Sequence, residues 1–202
     1  MLTMLQSLKS RLAILDTDTQ YDALLTNTIK AISVRFDRET NRTLARTENA
    51  TFEFNPGDAE ICVPCYPIEA ITSFHYKTSE TTGWQDITPA PDYLVRSTCI
   101  ISLPSPFSPA LLSPLSALRV LYTGGYLLPG SPPPDPPVAG CQALPDDLEQ
   151  AAVEQCAYWF QKRDLLGVRT TWPKDGIYKQ FADLDLLSSV TTVLARYRRW
   201  TL

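Results

Sequence analysis

Apolar residues in the first quarter of the chain recur at helical steps. Tyr21, Leu24, Leu25, Thr28, Ile29, Ile32 and Phe36 repeat every three or four residues, which predicts a helix over residues 20–46, capped by Asp18 or Thr19. A shorter amphipathic helix precedes it, with Leu5, Leu8 and Leu12 on one stripe and the Asp16-Thr17-Asp18 turn closing a helical hairpin. From Ala50 the period drops to two. Phe52 and Phe54 alternate with polar neighbours, and Asn55-Pro56-Gly57-Asp58 supplies turn chemistry. Further short strands are predicted around 60–63, 68–77, 93–95, 99–103 and 118–123, punctuated by Pro, Gly or Ser.

Gly124-Gly125 ends the last strand as a turn, and Pro129 to Pro137 forms a stiff extended segment. Pro145 at a first helical position, followed by Asp146 and Asp147, starts a helix with buried stripe Leu148, Ala152, Cys156 and Trp159 or Phe160, ending near Gly167. A final helix runs from Phe181 to Tyr197 on Leu184, Leu187, Val190 and Leu194. The pattern describes an α+β chain. N-terminal helices over 1–49 and C-terminal helices with a tail over 145–202 pack as a helical body. An antiparallel β region with loops (50–128) and a Pro-rich spacer (129–144) are inserted between them, the whole forming one domain.

Composition sharpens this division. The 17 prolines among 202 residues all lie between Pro56 and Pro173, so long helices belong at the two ends. A net charge of −4 excludes coating of nucleic acid by bulk charge. The greasiest stretch, Cys99 to Leu128, is broken by Pro104, Pro106, Pro109 and Pro114 and falls short of the roughly 18 apolar residues of a membrane span. Lys9 and Arg11 sit inside the first apolar segment, which does not match a signal peptide, so a soluble protein made in a cytoplasm is expected. Five scattered cysteines are expected as reduced thiols.

Candidate chemistry is sparse. The one histidine, His75, stands in a strand-like run with no partner signature and reads as structural. Cys62-Val63-Pro64-Cys65 has the spacing of redox and zinc motifs. Tyr66-Pro67 follows where a redox motif needs a helix, and no second ligand pair lies close, so both cysteines read as small strand-filling residues. No phosphate-cradling loop is present. The chain is therefore expected to be no enzyme and to hold no cofactor or metal, with a small thiol or metal protein using Cys62 and Cys65 as the alternative of another class.

Two basic clusters remain. Arg35, Arg38, Arg42 and Arg46 form one stripe on the predicted helix, read either as a solvated face with Glu39 nearby or as a contact to DNA phosphate or an acidic subunit. Arg196, Tyr197, Arg198, Arg199 and Trp200 crowd the C-terminus with the side chains that commonly anchor interfaces. They are expected to dock onto a partner.

Taken in order, the motifs resemble one family. Val120-Leu121-Tyr122-Thr123-Gly124-Gly125-Tyr126 is followed after a spacer by Leu144-Pro145-Asp146-Asp147-Leu148-Glu149-Gln150-Ala151-Ala152, then Ala157-Tyr158-Trp159-Phe160 and Lys162-Arg163-Asp164. With Asp22-Ala23-Leu24-Leu25, Val63-Pro64-Cys65-Tyr66-Pro67-Ile68 and Leu194-Ala195-Arg196-Tyr197-Arg198-Arg199, the chain resembles the head–tail connector (adaptor) proteins of long-tailed bacteriophages, prophages and gene transfer agents. The Pro-rich spacer looks longer than usual, Gly124-Gly125 replaces the commoner Ala-Gly, and Pro104 to Pro114 adds an apolar loop.

The resemblance implies a virion structural protein, assembled in the bacterial host cytoplasm and located in the neck. It implies a homo-oligomeric ring of about twelve subunits under the portal protein. The ring would contact a head-closure or tail protein and line a lumen that conducts double-stranded DNA non-specifically. A net acidic chain suits a conduit that should not grip DNA. On this reading Arg196, Tyr197, Arg198, Arg199 and Trp200 dock onto the portal, and Phe107, Leu111 and Leu112 meet a neighbouring subunit or the next neck protein. A head-closure or tail-terminator ring protein is the nearest alternative.

Overall fold

The computed structural model describes residues 1–103, 116–134, 139–163, 170–171, 179–180 and 185–199, with 170–171 and 179–180 by backbone alone. In chain order the elements are α1 (Leu5–Arg11), α2 (Asp22–Thr40), β1 (Thr47–Phe54), β2 (Glu60–Cys62), β3 (Ile68–Lys77), β4 (Gln85–Asp86), β5 (Leu94–Arg96), β6 (Ile100–Ser102), β7 (Ala117–Gly124), β8 (Tyr126–Leu127), β9 (Gln142–Ala143), α3 (Asp146–Gln161), β10 (Thr170–Thr171), β11 (Lys179–Gln180) and α4 (Ser188–Arg196). The chain is mixed α+β. It divides into two compact units: Met1–Thr40 with Leu144–Arg198, and Asn41–Ala143 with Arg199–Leu202.

In the helical unit α3 packs against α1, α2 and α4. It is accordingly apolar on most sides, burying Leu148, Ala151, Ala152, Val153, Cys156, Ala157 and Phe160. Helix α2 meets it with Leu25, Ile29, Ile32 and Phe36, all essentially inaccessible, each contributing about 1.5–3 kcal/mol of burial. Leu24, predicted on the same stripe, is instead exposed. Tyr21 completes the packing with an edge-to-face contact to Phe160 at 5.3 Å, and the Arg163 guanidinium lies 4.2 Å from the Phe160 ring.

Two buried polar side chains brace this unit. Lys9, 3% exposed, donates to the carbonyls of Asp16 (3.2 Å) and Asp18 (2.8 Å) and pairs with Asp22 at 2.5 Å, which ties the α1–α2 turn to the start of α2. Gln155, fully buried on α3, donates to the Asp185 carbonyl (3.2 Å) and accepts the Leu187 N–H (2.9 Å). It thereby holds residues 185–187 extended immediately before α4.

Two predicted boundaries are corrected, and one strand pair is added. Helix α2 ends at Thr40, not at 46. Beyond Phe36 the stripe positions fall on Thr40, Thr43 and Thr47, which have nothing apolar to bury, and Asn41 adopts a left-handed φ of 51° that ends the helix. Helix α4 begins at Ser188, because Gln155 claims the backbone before it, whereas residues 181–184 lie outside the described set. Between the two predicted C-terminal helices, where no strand was expected, the backbone forms the antiparallel pair β10–β11.

The β unit contains a sheet of order β1-β7-β3-β4 and a second of order β2-β6-β5, both antiparallel. Strand β7 is central in the first and alternates strictly, with Leu118, Val120 and Tyr122 buried. They join Phe54 and Phe74 from the same sheet and Ile61 and Ile101 from the other in one apolar core. The Pro-rich segment does not simply lead away from the sheets: its last residues pair as β9, in parallel, with β8.

At the end of β7 three backbone segments cross. Gly125 N–H donates to the Pro67 carbonyl (2.9 Å), Tyr126 N–H to Leu44 (2.8 Å) and Arg46 N–H to Tyr126 (2.8 Å). A Cβ at Gly124 would stand 2.5 Å from the Cys65 carbonyl oxygen, and one at Gly125 (φ 97°) 2.5 Å from that of Ala45. The crossing therefore requires glycine at both positions. Gly124→Ala and Gly125→Ala are each expected to cost at least about 2 kcal/mol in denaturant unfolding, whereas Gly57→Ala, where a Cβ meets open space, changes stability by less than about 0.5 kcal/mol.

Candidate functional site

The C-terminal basic-aromatic cluster is only partly free. Tyr197 donates its hydroxyl to Asp147 Oδ1 at 2.6 Å, which joins the end of α4 to the first turn of α3. Arg199 belongs to the β unit, where its guanidinium reaches the Cys62 carbonyl at 3.4 Å and lies 5.9 Å from the Phe52 ring. Arg196 and Arg198 are exposed, with no ion pair among the described residues. Trp200, like Phe107, Leu111 and Leu112, lies outside the described residues.

The four arginines predicted as one stripe are separated by the end of α2. Arg35 and Arg38 remain on the helix, where Arg35 pairs with Glu39 (2.8 Å) and Asp185 (3.1 Å) and Arg38 is exposed. Arg42 is 4% exposed and so is not a surface contact. Its guanidinium stacks 3.4 Å from the Tyr66 ring centroid and 5.1 Å from that of Tyr126, and donates to the Tyr66 carbonyl. Arg46 donates to both carboxylate oxygens of the buried Glu69 (2.8 and 3.0 Å) and to Glu48 (2.6 Å); these hydrogen bonds push its already high pKa further up. Sequence spacing set the last two on a helix face that does not exist there.

The cysteines occupy the β core. Cys65, 3% exposed, donates its thiol to the Gly124 carbonyl (3.1 Å), and its N–H donates to the buried Tyr122 hydroxyl (3.1 Å). Burial raises the Tyr122 pKa. Cys62 is half-buried beside Cys99, whose thiol is pushed up by burial and by that neighbour. All five cysteines are free thiols. Among the described residues no three His, Cys, Asp or Glu side chains are arranged to hold a metal ion.

The histidine has partners that the sequence did not disclose. His75 Nδ1 lies 2.7 Å from Asp86 Oδ1, and its Nε2 lies 2.7 Å from Ser73 Oγ. Asp86 is the residue directly opposite on β4, and Ser73 shares the face of β3 two positions back. The Ser-x-His spacing was visible as a period of two. Asp86 was not, because an intervening loop brings it across. On α1 and α3, a polar groove of about 400 Å³ is lined by Ser7, Ser10, Arg11, Asp146, Glu149, Gln150 and Val153.

No protein-family model matches the chain, and no curated protein matches it in sequence. Solved structures do share its fold. A chain in the neck of an empty GTA particle, computed with C6 symmetry, aligns at TM-score 0.59 over 98% of this chain and 89% of that one, with 14% identity. A chain in the virion of a native gene transfer agent (GTA) particle aligns at 0.57 over the same shares, with 16% identity. A third, in the neck of a native GTA particle computed with C12 symmetry, aligns at 0.52 over 89% and 84%, with 15% identity.

The thiol environments give a direct test of the core. Burial pushes the Cys156 pKa up to about 12, so its thiolate is scarce at about pH 8. Iodoacetamide on native protein is expected to modify Cys62, Cys99 and Cys141 while Cys65 and Cys156 react only on unfolding, as read by peptide mass spectrometry.

Proposed function

We propose that the chain is a head–tail connector, a structural component of the neck of a phage-like particle. The carrying observation is the fold likeness over nearly the whole chain to chains of GTA neck and virion structures, two of them computed with C6 and C12 symmetry. The order of short motifs, from the N-terminal hairpin to the closing Arg-Tyr-Arg-Arg segment, supports the same reading independently of shape. On this reading the helical unit is a body of N-terminal hairpin and C-terminal helices, copies join head to tail in a ring of about twelve, and the ring bridges the portal to a head-closure or tail protein. The net charge of −4 suits a lumen through which DNA slides.

Within this reading the exposed Arg196 and Arg198 are the portal-facing charges. Tyr197 positions them by its bond to Asp147, and the Pro104 to Pro114 segment, with Phe107, Leu111 and Leu112, supplies apolar side chains for the next subunit or neck protein. Of the stripe, the exposed Arg38 remains available to a subunit or to DNA, with Arg35 beside it already paired to Glu39 and Asp185. Asp146 and Glu149, at one side of the polar groove that also holds Arg11, offer carboxylates to basic groups of an adjoining copy.

Electron microscopy and native mass spectrometry of the protein with isolated portal rings test the proposal. A stoichiometric ring seated on the portal is expected, and Arg196→Glu combined with Arg198→Glu weakens the complex at least tenfold, about 1.4 kcal/mol, without lowering thermal stability. Binding only to necks that already carry another connector identifies a head-closure protein instead. Failure to bind either assembly overturns the reading.

A further inference from the structure

Beyond assembly, the geometry points to Ser73 as an activated nucleophile, with His75 as its general base and Asp86 as the positioning residue, able to take an acyl or phosphonyl group from a small electrophile. The hydrogen-bond directions follow from the donors available. A carboxylate only accepts, so the 2.7 Å contact of Asp86 Oδ1 with His75 Nδ1 fixes the proton of the neutral ring on Nδ1. Nε2 then carries the lone pair and faces Ser73 Oγ at 2.7 Å, so the serine hydroxyl is the donor. A nucleophile, a base and a base-orienting acid in series is the arrangement that activates serine on unrelated folds, and it is defined by geometry rather than by chain order.

The setting favours reaction over mere packing. His75 is 17% exposed on the sheet face opposite the apolar core, so it is shielded yet reachable, and Asp86 is largely solvated. Strand β7 places Arg119 directly opposite His75. Its guanidinium is held by Glu53 (2.7 Å) and by the Trp84 ring (3.8 Å), and its Nε has no hydrogen-bond partner among the described residues. A fixed positive group thus stands across the strand pair from the base, although its unused Nε is itself buried. On an open strand face with a solvated acid, the site suits small unhindered esters rather than long chains.

In the proposed step Ser73 Oγ forms a bond to the acyl carbon and passes its proton to His75 Nε2. The bond to the leaving group breaks and the leaving group departs with its electron pair. With p-nitrophenyl acetate the products are acetyl-Ser73 and p-nitrophenolate, and the imidazolium returns the proton to solvent. With an alkyl fluorophosphonate an oxygen–phosphorus bond forms, the phosphorus–fluorine bond breaks and fluoride leaves.

Purified full-length protein is incubated with the fluorophosphonate and with p-nitrophenyl acetate, and adducts are located by peptide mass spectrometry. A single adduct on Ser73 is expected, absent in Ser73→Ala and formed at least about 100-fold more slowly in His75→Gln. Asp86→Asn slows it about tenfold or more at unchanged melting temperature, and Asp86→Glu recovers part of that loss, which a merely structural role would not do. Adducts scattered over exposed serines, no adduct at all, or equal Ser73 labelling in His75→Gln overturns the proposal. None of these outcomes depends on portal binding, so failure here and failure of the connector reading are separate results.

Discussion

The β unit depends on one steric constraint, the approach of three backbone segments at Gly124-Gly125. Strand β7 is the middle of its sheet, and everything it organises passes through this crossing: β1 and β3 on its flanks, the 65–67 segment over its end and the 44–46 segment beside β8. Carbonyl oxygens stand where a Cβ would be, so no side chain is tolerated. The hydrogen bonds made there are ordinary. What is unusual is that the geometry of two sheets and of the preceding connection relies on two residues having nothing attached. The buried Tyr122 hydroxyl secures the same place from inside the core by satisfying the Cys65 N–H.

The helical unit solves a different problem with polar side chains. A small set of helices of limited length needs its connecting segments fixed, and Lys9 and Gln155 do this by taking backbone groups that no helix can satisfy. Both residues look like surface positions by type. Each is buried because its polar atoms find carbonyl or amide partners, which offsets the desolvation that otherwise keeps such groups outside.

Where burial set a clear period, the sequence was easy to read. Strand β3 was predicted at its observed bounds, and β7 within a residue or so, because alternation leaves little freedom of register. Two-residue strands such as β4, β8 and β10 carry no period and were invisible. Helix α2 was overextended because Arg42 and Arg46 continued its spacing, although the apolar stripe had already given way to threonines. The candidate contacts were legible as residue types and not as places: burial withdrew Arg42, ion pairs occupied Arg46, and Tyr197 was taken up by Asp147. The His75 cluster failed for a related reason. Its acid lies eleven positions away, and only strand pairing brings it opposite.

The Arg42 stack has a consequence for how the chain responds to acid. Most charged contacts loosen in acid because their carboxylates become protonated. Arg42 is held by two aromatic faces and a carbonyl oxygen, with no carboxylate partner among the described residues. That contact contains no carboxylate whose protonation would break it. The fastening of residues 41–46 to the 65–67 segment by this stack thus lacks the weak point at which an ordinary ion pair gives way as acid is added.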